Sequence, residues 1–530
     1  MNSKRSSQTD KEISVGAGPS SSALSEALPS ISEPQDADQA YIFLSRIQVP
    51  VHEVLAVHLP SLRRRIDYRL IPFMWLCYTM CWLDKAILNY AAVMGLPRDL
   101  MLEGNNFSNA NTFFYVATTV AELPTGFILT KVPAAKWASP RPSPPRCPHL
   151  TYLQMGINVI LWGVATAAVA ASRDYYSLVA TRVLVGVFEA AVAPCLILLI
   201  SQWYTKSEQS PRFCFWYAGL GTGQIVGGLQ SFGFQHVANP SFAGWRIMFV
   251  TMGSITVVLG VFTLVFLAEN PMKAKFLTNA EKAALLHHIS INQTGVVNRR
   301  FKWSQVRELL ADVQIWWLMV ITILVCTTSG VISSYSSTLL NNFGYTSKQA
   351  ALLNSMSGFI SILSAVGSGI GVRKGGHRWV WIVALLLPSI LGAGLMSFMP
   401  RSQKSGILAG IYLVNTCTAT LPHIYQWTAA NIAGHTKRPV AIGLVTAAFG
   451  VASTIGPQTF QARDAPLYQP ARLTVLTTLC AGAALTGLLG LFYRRENTRR
   501  DAVGGSEGPA DAERWGNLTD KMNAKFRYVL

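Results

Sequence analysis

The chain has 530 residues, half of them hydrophobic and only 13% charged. A soluble domain carries about 25% charged residues, so there is too little charged surface to cover a water-soluble protein of this size. The formal net charge is +18, but Lys and Arg fall in short runs between long apolar segments instead of interleaving with aromatics on one surface, which argues against nucleic acid as a partner.

Residues 1–65 open the chain as a tail. Its first 40 residues are rich in Ser, Ala, Pro, Asp and Glu and lack a continuous apolar run, so no secretory signal is read there. The tail is expected to be disordered and cytosolic, leaving the first hydrophobic helix as the targeting signal. A span needs roughly 20 mostly apolar residues. Six such segments lie at about 70–92, 111–131, 152–171, 176–200, 213–235 and 246–267, forming an N-terminal half over 66–268. A polar loop follows at 269–314. Within it Thr278-Asn279-Ala280-Glu281 is a capping-box pattern ahead of Leu285, Leu286 and Ile289, which predicts a short surface helix. The stretch from Trp303 to Asp312 is read as a second one. Six more segments, at about 315–340, 350–371, 379–398, 406–430, 440–460 and 473–493, form a C-terminal half over 315–494, and a C-terminal tail covers 495–530. The expected fold is therefore all-α, with 12 transmembrane helices in two six-helix halves.

Two segments stand apart. Five prolines between Pro140 and Pro148 exclude a helix in the connection after the second span. They mark either a tolerated loop or an error in the gene model. Asn106-Phe107-Ser108 is a formal glycosylation sequon close to the start of the second span. The eight cysteines lie mostly in apolar stretches and form no paired CxxC motif, so they read as small buried residues, and no metal or cofactor is expected.

Short-loop Lys and Arg set the orientation. With the N-terminus inside, the inner segments hold nineteen of them, from Arg63, Arg64 and Arg65 to Arg499 and Arg500, and the outer loops hold eight, from Arg98 to Arg472. Both termini are thus expected in the cytosol, in a multi-pass protein of the plasma membrane. The loop between the second and third spans, with Gly126, Lys131 and Lys136, is echoed between the eighth and ninth by Gly371-Val372-Arg373-Lys374-Gly375-Gly376-His377-Arg378. This echo and the six-plus-six layout point to two related halves around a central cavity.

Ionisable groups inside spans are costly, face the bundle interior and mark a solute or proton path. The first span carries Asp84, Lys85 and Asn89; the second carries Glu122 before Pro124; the fourth carries Arg182 and Glu189, seven residues apart on one helix face with Gly186 between them. At 1.5 Å per residue Asp84 and Arg182 lie about 12 and 9 Å from the outer ends of their helices, and Glu189 about 20 Å in. The functional reading gives positive charge for an anionic solute to Lys85 and Arg182, and proton uptake and release to Asp84 and Glu189. The alternative is two structural ion pairs, Asp84–Lys85 and Arg182–Glu189. Glu122, Gly186 and Pro194 are read as structural. In the second half Ser333 to Ser337, including Tyr335, give the seventh span a polar stretch, and the tenth carries Asn415, His423, Gln426 and Asn431 around Pro422. Such interrupted or polar helices line midplane sites, making Asn89, Tyr335, His423 and Gln426 candidate substrate ligands.

Several stretches resemble the fungal allantoate permease group, in the anion:cation symporter branch of the major facilitator superfamily. They are Leu83-Asp84-Lys85 through Asn89-Tyr90-Ala91; Gly104-Asn105-Asn106-Phe107-Ser108-Asn109 with Ala121-Glu122-Leu123-Pro124-Thr125-Gly126; Arg182, Gly186, Glu189, Pro194, Trp203-Tyr204, Glu208 and Arg212; and Asn431, Gly434, Lys437-Arg438 and Ala465-Pro466-Leu467-Tyr468. The resemblance covers roughly residues 65–500. It implies proton-coupled transport of organic anions such as ureides and carboxylate vitamins, with Asp84, Lys85, Arg182 and Glu189 matching the group's coupling and anion-binding pattern. Lys85 departs from relatives that carry Arg there, losing a bidentate grip on a carboxylate.

The expected function is a secondary transporter of a small organic anion, not an enzyme, working by alternating access as a monomer in the lipid bilayer with protons as the coupling ion. Two other readings accompany it: a transporter or exporter of a secondary metabolite or its precursor tied to a fungal biosynthetic gene cluster, and a transporter-like nutrient sensor.

Overall fold

The computed structural model describes residues 43–131, 151–237, 243–266, 271–290, 302–503 and 518–530, apart from 45, 48, 401–402, 435, 460, 462–463, 465–467 and 524. The first tail up to residue 42 and the Pro-rich 139–148 stretch lie outside the described residues. Everything long in it is helix. The first half contains α1 (Leu59–Val93), α2 (Asn106–Lys131), α3 (Thr151–Val169), α4 (Tyr175–Glu189) continued by α5 (Val192–Trp203), α6 (Lys206–Tyr217) continued by α7 (Gly219–Phe234), and α8 (Gly244–Phe266). Two connecting helices follow, α9 (Asn279–Ser290) and α10 (Trp303–Leu310). The second half contains α11 (Val313–Asn342), α12 (Ser347–Gly375), α13 (Arg378–Phe398), α14 (Lys404–Val414) joined through a 3-10 turn at Asn415–Ala419 to α15 (Thr420–Asn431), α16 (Lys437–Gln458) and α17 (Gln469–Val503). With α4–α5, α6–α7 and α14–α15 each counted as one broken span, these are twelve spans in two sets of six.

The breaks and starts follow from the local sequence. Pro194 is the third residue of α5 and has no N–H for the carbonyl of the preceding turn, so the fourth span is interrupted at Ala190 and Ala191, right after Glu189. Capping boxes open α4 at Asp174 and Ser177, α6 at Thr205 and Glu208, and α12 at Thr346 and Gln349. The predicted box ahead of α9 is present as well, with Glu281 N donating to Thr278 Oγ1 at 3.2 Å and Thr278 N to Glu281 Oε2 at 2.9 Å. Eight of the spans are long and apolar enough on their own to cross a membrane. In α1, charged and amide side chains dilute the apolar run, and in α7 glycines do. Large apolar side chains such as Val258, Val265, Leu363, Leu387 and Leu391 stay exposed on the helix exteriors, the surface expected against hydrocarbon.

Packing repeats between the halves. The third span lies on the sixth (α3 on α8), and the ninth on the twelfth (α13 on α17). Across the halves the second span packs on the eleventh (α2 on α16) and the fifth on the eighth (α6–α7 on α12), while α1 meets α11. These contacts put α1, α4, α11 and the α14–α15 span around the middle. Backbones come close at the seams: Gly221 of α7 and Gly358 of α12 face each other so that a Cβ on either would collide with the other's carbonyl oxygen.

Both ends of the described chain lie on one face, here the terminal face. Two departures from the expected boundaries occur there. Helix α1 starts at Leu59, with Pro60 in its first turn and Leu62 and Ile66 buried, and α17 runs past 494 to Val503. The C-terminal segment is also not a loose tail from 495 on. Residues 518–530 fold back onto the second half. Lys437 Nζ, fully buried, meets Asp520 Oδ1 at 2.7 Å, Glu308 Oε1 at 3.0 Å and Asp312 Oδ2 at 3.1 Å. Asn431 and Trp427 donate to the Val529 carbonyl, and the Arg378 amide donates to the Leu530 carbonyl at 2.7 Å. In the first half Arg212 grips Asp67 with two bonds of 2.7 and 2.6 Å. Glu208 pairs with Arg63 and His288. Burial pushes the Glu208 carboxyl up, but His288, Arg63 and the Thr205 amide overcome this and bring it down to about 2.

Candidate functional site

Asp84, Lys85, Glu122, Arg182 and Glu189 come together in the middle of the first half, on α1, α2 and α4, each at most 7% exposed. Their pairing differs from both pairs considered from sequence. Lys85 forms a direct ion pair with Glu189, not with Asp84. Its side chain runs back along α1, with Nζ 3.1 Å from Cys81 Sγ one turn earlier, and so reaches the deeper level of Glu189. Cys81 Sγ lies 2.8 Å from Glu189 Oε1 and completes this contact. Asp84 turns the other way, to α3: Oδ2 accepts from Trp162 Nε1 and Oδ1 from Thr166 Oγ1, both at 3.0 Å. A residue and its successor on α1 thus serve two different helices.

Arg182 is fully buried and its guanidinium carbon sits 4.7 Å from the Phe114 ring centre, a cation–π position. Nη1 donates to the main-chain carbonyl of Asp84 at 3.4 Å, whereas Nε and Nη2 have no hydrogen-bond partner. Glu189 Oε2 and Glu122 Oε2 are likewise buried and unpartnered. Gly186 is where α4 touches α2: a Cβ there would stand 2.6 Å from the Phe114 carbonyl oxygen and 2.8 Å from Thr118 Oγ1. It thereby brings Phe114 under Arg182.

Neutral polar groups face this cluster from the second half. Asn89 Nδ2 donates to Ser336 Oγ at 3.3 Å and Ser337 Oγ at 3.2 Å, and its Oδ1 has no partner. The Tyr115 hydroxyl is 2.9 Å from Ser333 Oγ, and Asn354 Nδ2 donates to the Tyr90 hydroxyl at 3.0 Å. The other candidates lie elsewhere. Tyr335 sits toward the far face with its ring edge-on to Phe107. His423 bonds Ser368 Oγ at 2.9 Å, and Gln426 accepts from Arg378, which opens α13 on the terminal face. His423 and Gln426 therefore form a second polar cluster nearer that face, apart from Lys85 and Arg182. Cys81, Tyr115, Trp162 and Thr166 were missed from sequence. Trp162 and Thr166, four residues apart and so on one face of α3, were the available signal.

Ser108 of the sequon is buried and donates to the Pro457 carbonyl at 3.3 Å, so the sequon is folded into the start of α2.

Comparisons agree with this architecture. Residues 74–457 match the family model of the Major Facilitator Superfamily. The chain is 34% identical over 472 residues to the thiamine pathway transporter THI73 of Saccharomyces cerevisiae, covering 89% of this chain and 86% of that one. It is 30% identical to the allantoate permease of the same yeast, with the same coverage of 89% and 86%. Among solved structures, the proton:xylose symporter XylE superposes with a TM-score of 0.63 at 15% identity, over 82% of this chain and 96% of that one. The chain belongs to the major facilitator superfamily, among the fungal transporters that include the allantoate permease, and is a multi-pass membrane transporter and not an enzyme.

Proposed function

We propose that this transporter moves a small organic anion, of carboxylate or ureide type, together with protons. The observation that carries the reading is Arg182, with two unused buried donors beside the Lys85–Glu189 pair. An anion entering the middle is drawn to Arg182, whose planar fork suits a carboxylate. To engage Lys85 as well, it must displace Glu189. A buried carboxylate stripped of its only cation costs several kcal/mol, so Glu189 takes up a proton as the anion arrives. Anion and proton then bind as a neutral set. Asp84, held by Trp162 and Thr166, keeps Arg182 oriented and is the second coupling carboxyl. Asn89 and the serines of α11 supply hydrogen bonds to the uncharged part of the solute. The halves rock about this site in alternating access. One chain supplies the whole site, so the monomer is the working unit, with both termini in the cytosol and the plasma membrane as its location.

The test is uptake into proteoliposomes under an imposed inward proton gradient, with radiolabelled allantoate as the first probe and other ureides and carboxylates after it. Glu189→Gln is expected to abolish gradient-driven accumulation while leaving counterflow exchange. Gradient-driven accumulation equal to wild type in that variant would remove the coupling role. Arg182→Ala is expected to lose anion binding, and retained affinity would make the arginine structural.

A further inference from the structure

Five Asp, Glu, Lys or Arg side chains sit mid-span in the described helices: the carboxyls Asp84, Glu122 and Glu189 and the cations Lys85 and Arg182. The set has one carboxyl too many. Asp84 is satisfied by Trp162 and Thr166 next to Arg182, and Glu189 is in contact with Lys85. Glu122 remains. It is 5% exposed, and its Oε2 is buried without a hydrogen-bond partner.

The groups around it leave it uncompensated. From α1, Cys81 and Lys85 act on it electrostatically, and from α15 Tyr425 does. Lys85 is already engaged by Glu189. On α4, which packs against α2, the charged groups are Arg182 and Glu189; α16 carries only Lys437 and Arg438, both at its terminal-face end, and α5 carries only Cys195. An ionised, unpaired carboxylate in such a place is strongly disfavoured, and holding a proton relieves that cost.

We propose that Glu122 is a further proton-carrying carboxyl of the transport cycle, protonated in the conformation described here. The proposal rests on the proton-coupled reading of the central site. On release, the Glu122 O–H bond breaks, the proton passes to water, and the electron pair stays on the carboxylate, which then competes with Glu189 for the Lys85 ammonium. Glu122 is nine residues from the end of α2, about 13 Å from the terminal face, which makes that face the side of release. Tyr425 of the second half lies within its electrostatic reach, so its charge state is felt where the two halves meet.

The experiment is an infrared titration of the reconstituted full chain in the absence of any solute or gradient, reading the C=O band of protonated carboxyl groups. Wild type is expected to show one such band near neutral pH that disappears on alkaline titration. Glu122→Gln is expected to lose it, and Glu189→Gln, by freeing Lys85, to make it disappear at lower pH. Glu122→Asp, which restores a carboxyl, is expected to regain a titrating band, and this guards against a folding defect in the glutamine variant. The proposal is overturned if the wild-type band is absent or if it persists in Glu122→Gln. Because no transport is measured, failure here leaves the uptake test of Glu189 standing, and failure of that test leaves this assignment standing.

Discussion

Replacing Lys437 by Met removes the ammonium around which the C-terminal segment is docked. The cost follows from what is left behind. Asp520 keeps the Tyr528 hydroxyl at 3.1 Å and Gln314 Nε2 at 3.0 Å, and Asp312 keeps Gln314 Nε2 at 2.6 Å and Lys521 Nζ at 3.3 Å. Glu308 is about a quarter exposed and retains Thr519. Breaking a buried ion pair by removing one partner costs about 3–5 kcal/mol. The surviving partners place this case at the low end, about 3 kcal/mol, because no carboxylate is left bare. Thermal unfolding in detergent reads the loss as a lower melting temperature, and trypsin reads the release of the segment as faster cleavage at Lys521. Asp520→Asn in the Lys437→Met background removes one of the stranded charges, so the double variant is expected to fall short of the sum of the single effects. A melting temperature and tryptic rate equal to wild type, or strict additivity, would refute the reasoning.

Other outcomes follow from the same physics. Gly358→Ala drives a Cβ against the Gly221 carbonyl at the seam between α7 and α12, and since backbone cannot step aside the variant is expected to lose about 1–3 kcal/mol, read as a drop in melting temperature. Glu208, with its carboxyl held near 2 against an ordinary value of 4.5, contributes stability that is fully present above pH 4.5 and lost as pH falls toward 2. That difference corresponds to about 3 kcal/mol, and Glu208→Gln should flatten the acid limb of a melting-temperature profile. A profile as steep as wild type would place the acid sensitivity elsewhere.

Much of the architecture could be read from the chain because a bilayer imposes a simple rule: long apolar runs must be helices. The spans, the helix at Asn279–Ser290 and its cap were all legible on that basis. Gathering Asp84, Lys85, Arg182 and Glu189 into one region was legible too, since buried charges seek each other. Their partners were not. Sequence spacing suggests pairs within one helix, yet Lys85 reaches back a turn to meet Glu189 while Asp84 turns to Trp162, and those choices depend on how α1, α3 and α4 are rotated. The docked C-terminal segment was missed for a similar reason. Asp520, Phe526 and Tyr528 look unremarkable in a polar tail until Lys437 and Arg500 are brought to them from far along the chain. His423 and Gln426 were drawn toward the midplane by Pro422, but the 3-10 turn before it sets them against Ser368 and Arg378 instead.

The mid-span charges all belong to the first half, and the second half meets them only with hydroxyls and amides. No ion pair therefore crosses the centre of the seam among the described residues; Asn89 to Ser336 and Ser337, Tyr115 to Ser333, and Asn354 to Tyr90 are all neutral bonds. Each is worth only about 0.5–1.5 kcal/mol net, and water or a solute can replace it as fast as it breaks. Parting the halves at this level needs no separation of opposite charges in a poorly screened medium. The electrostatic apparatus rides as one rigid passenger, and the barrier to motion is left to the glycine-lined seams and to the ends of the helices.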